Sequence, residues 1–199
     1  MLAFWRDGFK ETSVKALSER LGITRSSFYN TFGSLEAVFL EALERYLQRS
    51  PDRAFAEVPQ RGSIRGLITA TFKAICRTLA ADPQAKGCLA VNSVSALCNV
   101  EPELGPKVAA HMNVRRERIE KLLSVAVVRG ELPGGLDVPA TALALKALIV
   151  GLNSMSKVLP DRSALWPAAR ATLAAFGLLC EDAALEDSSP INLPGEVAP

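Results

Sequence analysis

The sequence predicts an all-α protein, and three observations lead to this prediction. Alanine and leucine recur in repeated runs, and 49% of the residues are hydrophobic. Valine and isoleucine fall within helical periods rather than alternating with polar residues, so strand signals are scarce. Serine, threonine and glycine stand where helices begin and end. A chain of 199 residues can bury a sizeable core, as one small and one larger domain or as a single large domain.

Two short helices that meet at a tight corner are predicted between residues 13 and 32. Ser13 is placed to cap the first helix, and Gly22 ends it with left-handed backbone geometry. Thr24 caps the second helix, in which Phe28 and Phe32 point inward four residues apart. The apolar face of the first helix is formed by Val14, Leu17 and Leu21.

The outer face of the second helix is polar and carries Arg25, Ser26, Ser27, Tyr29 and Asn30. Arginine, hydroxyl and amide groups on one face of a short helix are what a reader of the DNA major groove needs. A purely structural helical hairpin uses the same caps, glycine corner and apolar core. These features alone therefore leave both a helix-turn-helix for DNA and a structural hairpin open.

The elements before and after this corner are also predicted to be helical. Residues 1–7 read as the end of a helix whose beginning is missing. Gly33 ends the second short helix, and Ser34 caps an amphipathic connecting helix that reaches Leu47. Pro51 and the segment 59–62 then break the helical pattern.

From Ser63 onward the pattern is one helix after another. The predicted helices cover residues 63–81, 88–98, 103 or 107 to 129, 139–158 and 163–180, and residues 182–199 read as a disordered tail. The charge run at residues 115–121 is predicted to be a solvated face with pairs three and four residues apart. The last two helices are apolar over more than one face, so the monomer core or a second subunit must cover them.

Composition excludes several classes of protein. The net charge is +2, and the first fifty residues hold seven Lys and Arg against six Asp and Glu, so bulk charge does not indicate a nucleic-acid partner. No uncharged apolar run reaches the ~18 residues of a membrane span. The longest candidate, residues 140–158, is interrupted by Lys146, Asn153 and Lys157. Four widely spaced cysteines suit reduced thiols in a cytoplasm.

Catalysis finds little support in the sequence. The single histidine, His111, has no Ser, Cys or acid at a recognisable catalytic spacing. Clusters with metal-ligand spacing and a glycine-rich phosphate loop are both absent from the sequence. We therefore predict no catalytic residue, no metal and no cofactor. A small helical enzyme, with turnover that depends on His111 or a cysteine, stays as an alternative.

Several ordered segments resemble the N-terminal domain of the tetracycline-repressor-type (TetR) regulators, namely Gly8-Phe9, residues 12–14, 21–24, 28–32 and 34–39. The resemblance covers about the first forty-five residues. It implies a helix-turn-helix DNA-binding domain at residues 1–47 and a helical ligand-binding and dimerisation domain at residues 48–181. In that family the first helix is longer and often follows a basic arm, so the start of this chain looks clipped.

The resemblance also implies roles for individual residues. It places Thr12 and Tyr29 on phosphates, and the helix that begins after Ser34 offers amide donors to a phosphate. The residues expected to face bases, together with the cap that precedes them, are Thr24, Arg25, Ser26, Ser27 and Asn30. Two positions depart from the family pattern, since Leu35 replaces a common Lys and Thr31 a common His or Tyr. Both departures remove contacts with DNA.

The segment Gly87–Asn92 resembles the G-C-L-x-V-N opening of the sixth helix in one subgroup of these regulators. Members of that subgroup sense varied small organic molecules, which implies a ligand-responsive domain. A mainly apolar pocket is predicted around Phe72, Cys76, Leu89, Ser93, Leu97, Met112 and Met155, with ordinary core packing as the alternative. Cys88 and Cys98 are candidates for sensing oxidants or electrophiles, or else inert buried thiols.

The predicted function is a cytoplasmic transcriptional regulator, a repressor that a small organic ligand releases from a palindromic operator. The family implies a homodimer through the last two long helices, which places two recognition helices in major grooves roughly 34–36 Å apart. The alternative is a helical ligand-binding or scaffolding dimer that has lost DNA binding.

Overall fold

The computed structural model describes residues 1–181, and all regular secondary structure in that range is helical. The predicted all-α fold class is confirmed. The helices are α1 (Leu2–Asp7), α2 (Val14–Leu21), α3 (Arg25–Phe32), α4 (Leu35–Leu47), α5 (Ile64–Ala81), α6 (Leu89–Leu97), α7 (Gly105–Val128), α8 (Val138–Met155) and α9 (Leu165–Ala175). Two 3-10 helices occupy Pro51–Ala56 and Arg162–Ala164. The tail predicted at residues 182–199 lies outside the described residues.

Side-chain caps fix the beginnings of several helices. The hydroxyls of Ser13, Thr24 and Ser34 accept hydrogen bonds from the amides three residues later, which confirms the three predicted caps. The caps of α5 and α8 are Ser63 and Asp137. Each cap accepts from an amide that has no partner within its own helix. Local sequence therefore sets where these helices start.

The last helix is shorter than predicted. It ends at Ala175 rather than near Cys180, because Gly177 adopts a left-handed conformation with φ of 66°. The amide of Leu178 then donates to the carbonyl of Leu173 at 2.8 Å, which closes a glycine C-cap. The predicted end at residue 180 was wrong, since an apolar run does not reveal a glycine turn inside it.

The described chain forms two compact units. Unit 1 contains residues 1–49 and 88–110, and unit 2 contains residues 50–87 and 111–181. α6 therefore belongs to the same unit as the first four helices, and α7 contributes to both units. The domain boundaries expected from the sequence, at residues 47 and 181, stay a prediction.

The core of unit 1 contains a cluster of aromatic rings. Phe4 and Phe39 are fully buried and meet edge to face with ring centroids 5.3 Å apart. Phe9 packs against both of these rings. Trp5 meets Tyr46 edge to face at 5.3 Å, which joins α1 to the end of α4. Large rings bury much apolar area per residue, and aliphatic side chains such as Leu43 and Leu47 are buried in the same unit.

α5 lies at the centre of unit 2 and packs against α8, α9 and the first 3-10 helix. Its buried face carries Ile64, Ile68, Phe72, Ile75 and Leu79. The segment after Pro51, predicted only as a break in the helical pattern, inserts Phe55 into this core, with its ring 6.4 Å from that of Phe72. The 3-10 helix is therefore part of the packed core of unit 2.

The charge run on α7 is only partly the solvated face that was predicted. Arg116 pairs with Glu120 at 2.7 Å, as the spacing of four residues predicts. Arg115 instead is buried and pairs with Asp52 of the first 3-10 helix. The prediction was wrong for Arg115, because Ile119 and Leu122 on the same helical face are also buried.

By length and composition α8 is apolar enough to cross a membrane. Core helices of soluble proteins share this length and composition. Polar side chains also interrupt its buried face, since Lys146 and Asn153 are both buried. We therefore treat α8 as a helix of unit 2.

An acid from another part of the chain completes the start of α5. One carboxylate oxygen of Glu131 accepts from the Ser63 hydroxyl at 2.7 Å, from the Ile64 amide at 2.8 Å and from the Arg65 amide at 3.2 Å. A carboxylate at a helix N-terminus is favoured both by these amides and by the helix dipole. Glu131 thus fastens the loop after α7 to the central helix.

We expect Glu131→Ala to lower the stability of the protein. The change leaves amides at the start of α5 without their acceptor, which costs about 1–3 kcal/mol. Thermal unfolding followed by circular dichroism measures the effect, with the exposed Glu57→Ala as the control. Equal melting temperatures for the two variants would contradict this role.

Candidate DNA-binding site

The corner between α2 and α3 has the predicted geometry. Gly22 lies in the left-handed region with φ of 65° and ψ of 31°, and its amide donates to the carbonyl of Glu19. The amide of Ile23 donates to the carbonyl of Ser18, which completes the turn. The apolar face expected on α2 is displaced, since Ser18 is buried while Leu21 is 55% exposed.

α3 presents one face to the core and the other to solvent. Phe28 is fully buried, and its ring centroid lies 5.1 Å from that of Phe32. The side chains predicted to point outward are all exposed, namely Arg25, Ser26, Ser27, Tyr29 and Asn30. Thr31 is exposed as well, and its position four residues after Ser27 is the signal that could have added it to the candidates.

The first turn of α3 is held by two hydroxyls. Thr24 accepts from the Ser27 amide at 3.1 Å, and the two hydroxyl oxygens lie 2.9 Å apart within hydrogen-bond distance. Thr24 is thus committed to the cap, and Ser27 shares its hydroxyl with that cap. Arg25, Ser26 and Asn30 are exposed on the same helix and offer guanidinium, hydroxyl and amide groups.

The residues expected to contact phosphates differ in how accessible they are. Thr12 is only 7% exposed, and its hydroxyl donates to the carbonyl of Gly8 at 2.7 Å. That proton is engaged inside unit 1. Ser34 accepts from the Ala37 amide at 3.1 Å and caps α4, whose first turn also holds Glu36. Tyr29 is exposed, although its ring also meets Phe28 edge to face.

The predicted ligand-binding residues fall into both units. Phe72 and Cys76 lie one turn apart in the core of unit 2, and burial raises the pKa of the Cys76 thiol to about 12. This thiol is therefore neutral at physiological pH. Leu89, Ser93 and Leu97 are buried on α6 in unit 1, where the Ser93 hydroxyl donates to the carbonyl of Leu89 at 2.7 Å. Met112 is half-buried and Met155 is exposed. The predicted pocket stays a prediction.

Residues 1–181 contain no group of three or more His, Cys, Asp and Glu side chains that is able to hold a metal ion. His111, the candidate of the enzyme alternative, is half-buried on α7. The four cysteines are not joined in disulfides.

Two family models match the sequence. Residues 66–172 match the tetracyclin repressor-like C-terminal domain, which is more than half of the chain. Residues 3–42 match the bacterial regulatory proteins of the tetR family. The chain belongs to the TetR family. It is therefore a DNA-binding transcriptional regulator, and family membership points away from an enzyme.

Curated relatives of this TetR-family protein are regulators from two bacteria. It is 24% identical over 154 residues to the HTH-type transcriptional repressor ComR of Escherichia coli (strain K12), covering 77% of this chain and 73% of ComR. It is 28% identical over 163 residues to the uncharacterized HTH-type transcriptional regulator YezE of Bacillus subtilis (strain 168), covering 79% and 82%.

Solved structures share the fold of the TetR-family chain. A cysteine mutant of the regulator CifR, complexed with a 26 bp double-strand operator DNA, superposes with a TM-score of 0.77 at 22% identity, covering 87% of this chain and 91% of that one. A regulator from Chloroflexus aurantiacus gives 0.73 at 21% identity, covering 87% of both chains. At these identities the likeness concerns the fold alone. The subgroup suggested by Gly87–Asn92 stays a prediction.

We expect Thr24→Ala to destabilise α3. Loss of a threonine N-cap costs about 1 kcal/mol, because the Ser27 amide loses its acceptor. Ser26→Ala is the matched control, since Ser26 is an exposed hydroxyl two residues along the same helix. Chemical denaturation of both variants measures the difference, and equal midpoints would show that Thr24 does not cap α3 in solution.

Proposed function

We propose that the protein binds a palindromic operator as a homodimer, acts as a repressor and is released by a small organic ligand. The observation that supports operator binding most directly is the polar outer face of α3, which is capped by Thr24 and anchored by the buried Phe28. An eight-residue helix is unstable alone, and the packing that anchors α3 leaves guanidinium, hydroxyl and amide groups exposed in the combination that a reader of the major groove needs.

Within this proposal each exposed group of α3 has a chemical task. Arg25 is suited to the O6 and N7 acceptors of a guanine, and Asn30 is suited to an adenine. Ser26 and Ser27 offer hydroxyls to base edges or phosphates, and Tyr29 offers its hydroxyl to a phosphate. Arg25 is the single charged residue in the sequence of α3, so it supplies the strongest contact of this helix.

Of the phosphate contacts that the resemblance implies, the one from Thr12 is the least accessible in the structure. Thr12 already donates its hydroxyl proton to Gly8. We propose that Tyr29 and the amides at the beginning of α4 supply the contacts on either side of the bases. The carboxylate of Glu36 in that first turn repels a phosphate, so the contact from the α4 amides is weaker than the contact from Tyr29.

We propose that the exposed faces of α8 and α9 form the interface of the homodimer. Residues of α8 that are exposed in the isolated chain include Ala140, Leu143, Ala147, Gly151 and Met155. Leu143 is 59% exposed although it lies in the middle of an apolar helix. On α9 the exposed residues include Ala168, Ala171, Ala174 and Ala175. These small and apolar side chains permit close packing of helices from a second copy. The exposed Arg170 of α9 pairs with Glu181.

We propose that the ligand response uses apolar side chains buried inside each unit. Phe72 and the neutral Cys76 thiol provide apolar surface in unit 2. Leu89 and Leu97 do so on α6 in unit 1, where Ser93 adds a hydroxyl. An apolar organic molecule suits such groups. It would act by binding more tightly to the dimer conformation that does not fit the operator. Free thiols agree with a reducing cytoplasm as the location.

A second candidate function is a ligand-binding dimer without DNA binding. It is favoured by Leu35 and Thr31, by the committed hydroxyl of Thr12 and by the small net charge. The two functions differ in salt dependence, because phosphate contacts release counterions. Fluorescence anisotropy with a duplex from the protein's own promoter, at several salt concentrations, separates them. A steep salt slope with preference for one site supports the regulator, and a flat response supports the second function.

We expect Arg25→Ala to weaken specific operator binding. Loss of a bidentate contact to guanine costs about 1–3 kcal/mol, which is roughly 5- to 150-fold in the dissociation constant. The measurement is a gel-shift titration with the operator and with a scrambled duplex. Arg77→Ala, an exposed arginine on α5, is the control and should bind like the wild type. Unchanged affinity of Arg25→Ala would remove Arg25 from base reading.

We expect Leu143→Glu to break the dimer. A carboxylate buried between apolar helix faces has no partner, so association becomes unfavourable. Val128→Glu is the matched control, because Val128 is 87% exposed on α7, outside the proposed interface. Sedimentation gives the mass of each variant. A Leu143→Glu protein that stays dimeric at the same concentration as the control would contradict the proposed interface.

A further inference from the structure

A buried ion pair in unit 2 has no part in the function proposed above. The Arg115 guanidinium donates from Nε to Oδ2 of Asp52 at 2.9 Å and from Nη2 to Oδ1 at 2.5 Å. The two side chains are only 8% and 10% exposed. The buried Ser50 hydroxyl donates to Asp52 and accepts from Arg115 at 3.4 Å. We refer to Ser50, Asp52 and Arg115 as the charged clamp.

Stability alone is a weak reason for a buried pair of this kind. Removing two charges from water costs several kcal/mol, and well-packed apolar residues of similar volume are often as stable. What the pair supplies is geometry. An arginine with two parallel hydrogen bonds to one carboxylate fixes both the distance and the direction of approach. The clamp therefore holds the 3-10 helix Pro51–Ala56 in one register against α7.

The charged clamp lies close to both points at which the chain enters unit 2. The chain passes from unit 1 to unit 2 after Arg49, and it passes again within α7 after Ala110. Ser50 and Asp52 lie within three residues of the first passage, and Arg115 lies about one helical turn beyond the second. The clamp thus connects the two segments with which the chain enters unit 2. All three of its residues belong to that unit.

Little free chain lies between the DNA-binding helices and the clamp. α4 ends at Leu47, and residues 48–50 alone separate it from the 3-10 helix. Gln48 still has helical dihedral angles, with φ of −67° and ψ of −20°. On the other side Phe55 is anchored in the core of unit 2. A short connection with a fixed far end has few conformations available.

We propose that the charged clamp is a positioning device for operator binding. It restrains the backbone where the chain leaves the helix-turn-helix unit. The dimer therefore loses less conformational entropy when it binds two half-sites. None of its residues lies on the recognition helix, so they are positioning residues. The proposal rests on operator binding by the homodimer as proposed above.

The test compares the folded variants on an operator that the wild-type dimer first selects from a random duplex library. Asp52→Asn and Arg115→Lys each remove the bidentate geometry while keeping similar size. Anisotropy at fixed salt gives the dissociation constant, and stoichiometric titration gives the active fraction. We expect about tenfold weaker binding by the active fraction, which corresponds to about 1.4 kcal/mol. A merely stabilising role would lower the melting temperature and the active fraction but leave that constant unchanged.

A double variant and a matched control complete the design. Asp52→Leu with Arg115→Met replaces the pair by apolar residues, which should retain the fold but not the affinity. Arg116→Met with Glu120→Gln removes the neighbouring pair on α7, which is half-buried and does not reach the 3-10 helix. We expect this control to stay within twofold of the wild type.

The outcomes separate the two proposals. Folded Asp52→Asn protein that binds like the wild type overturns the clamp, and so does wild-type affinity in the apolar double variant. An equal loss in the Arg116 and Glu120 control also overturns it, because any change on α7 would then have the same effect. If the wild type selects no duplex at all, operator binding itself fails and the clamp fails with it.

Discussion

The anchoring of α3 is the constraint on which the function depends. An eight-residue helix cannot hold its shape in water without help from its surroundings. The help comes from three sources, namely the buried ring of Phe28, the hydroxyl cap of Thr24 and the glycine turn that precedes it. These contacts bury one side of the helix and leave the polar side chains of the opposite side exposed to solvent. The same packing that stabilises the helix therefore decides which side chains are available to DNA.

Unit 2 follows a different design, in which one long helix organises the rest. α5 is covered by α8, α9 and the first 3-10 helix, and its start is tied to the loop after α7 by Glu131. Polar contacts in this unit join segments that are far apart in sequence. The Arg65 guanidinium reaches the carbonyl of Leu179 at 2.6 Å, and the Thr69 hydroxyl donates to the carbonyl of Leu178 at 3.2 Å. The end of the described chain is thereby fastened to the central helix.

Burial of charge distinguishes two pairs that look alike in the sequence. Arg115 and Arg116 are neighbours on α7, and each finds an acid within hydrogen-bond distance. Arg116 uses an acid four residues away on its own helix, so its pair is worth a few tenths of a kcal/mol. Arg115 uses an acid 63 residues away and is removed from water, so the geometry of its pair matters more than its strength.

Local sequence signals predicted much of the fold because they act over a few residues. The caps at Ser13, Thr24 and Ser34, the turn at Gly22 and the inward ring of Phe28 each follow from chemistry within one or two helical turns. The same reasoning placed the polar face of α3, and the order of the helices followed from apolar periodicity. Where the prediction failed, the deciding partner was distant or the turn was hidden, as for the early end of α9 at Gly177.

The sequence by itself determined the all-helical class, the capped helix-turn-helix and the residues that face outward from α3. The tertiary structure alone decided that the Thr12 hydroxyl donates to the carbonyl of Gly8, that Arg115 is buried against Asp52 and that Phe55 belongs to the core. Helix caps and periodicity depend on neighbours in the chain, so they can be read in order. Burial depends on which faces of separate helices meet, and no local pattern records the partner that another part of the chain brings.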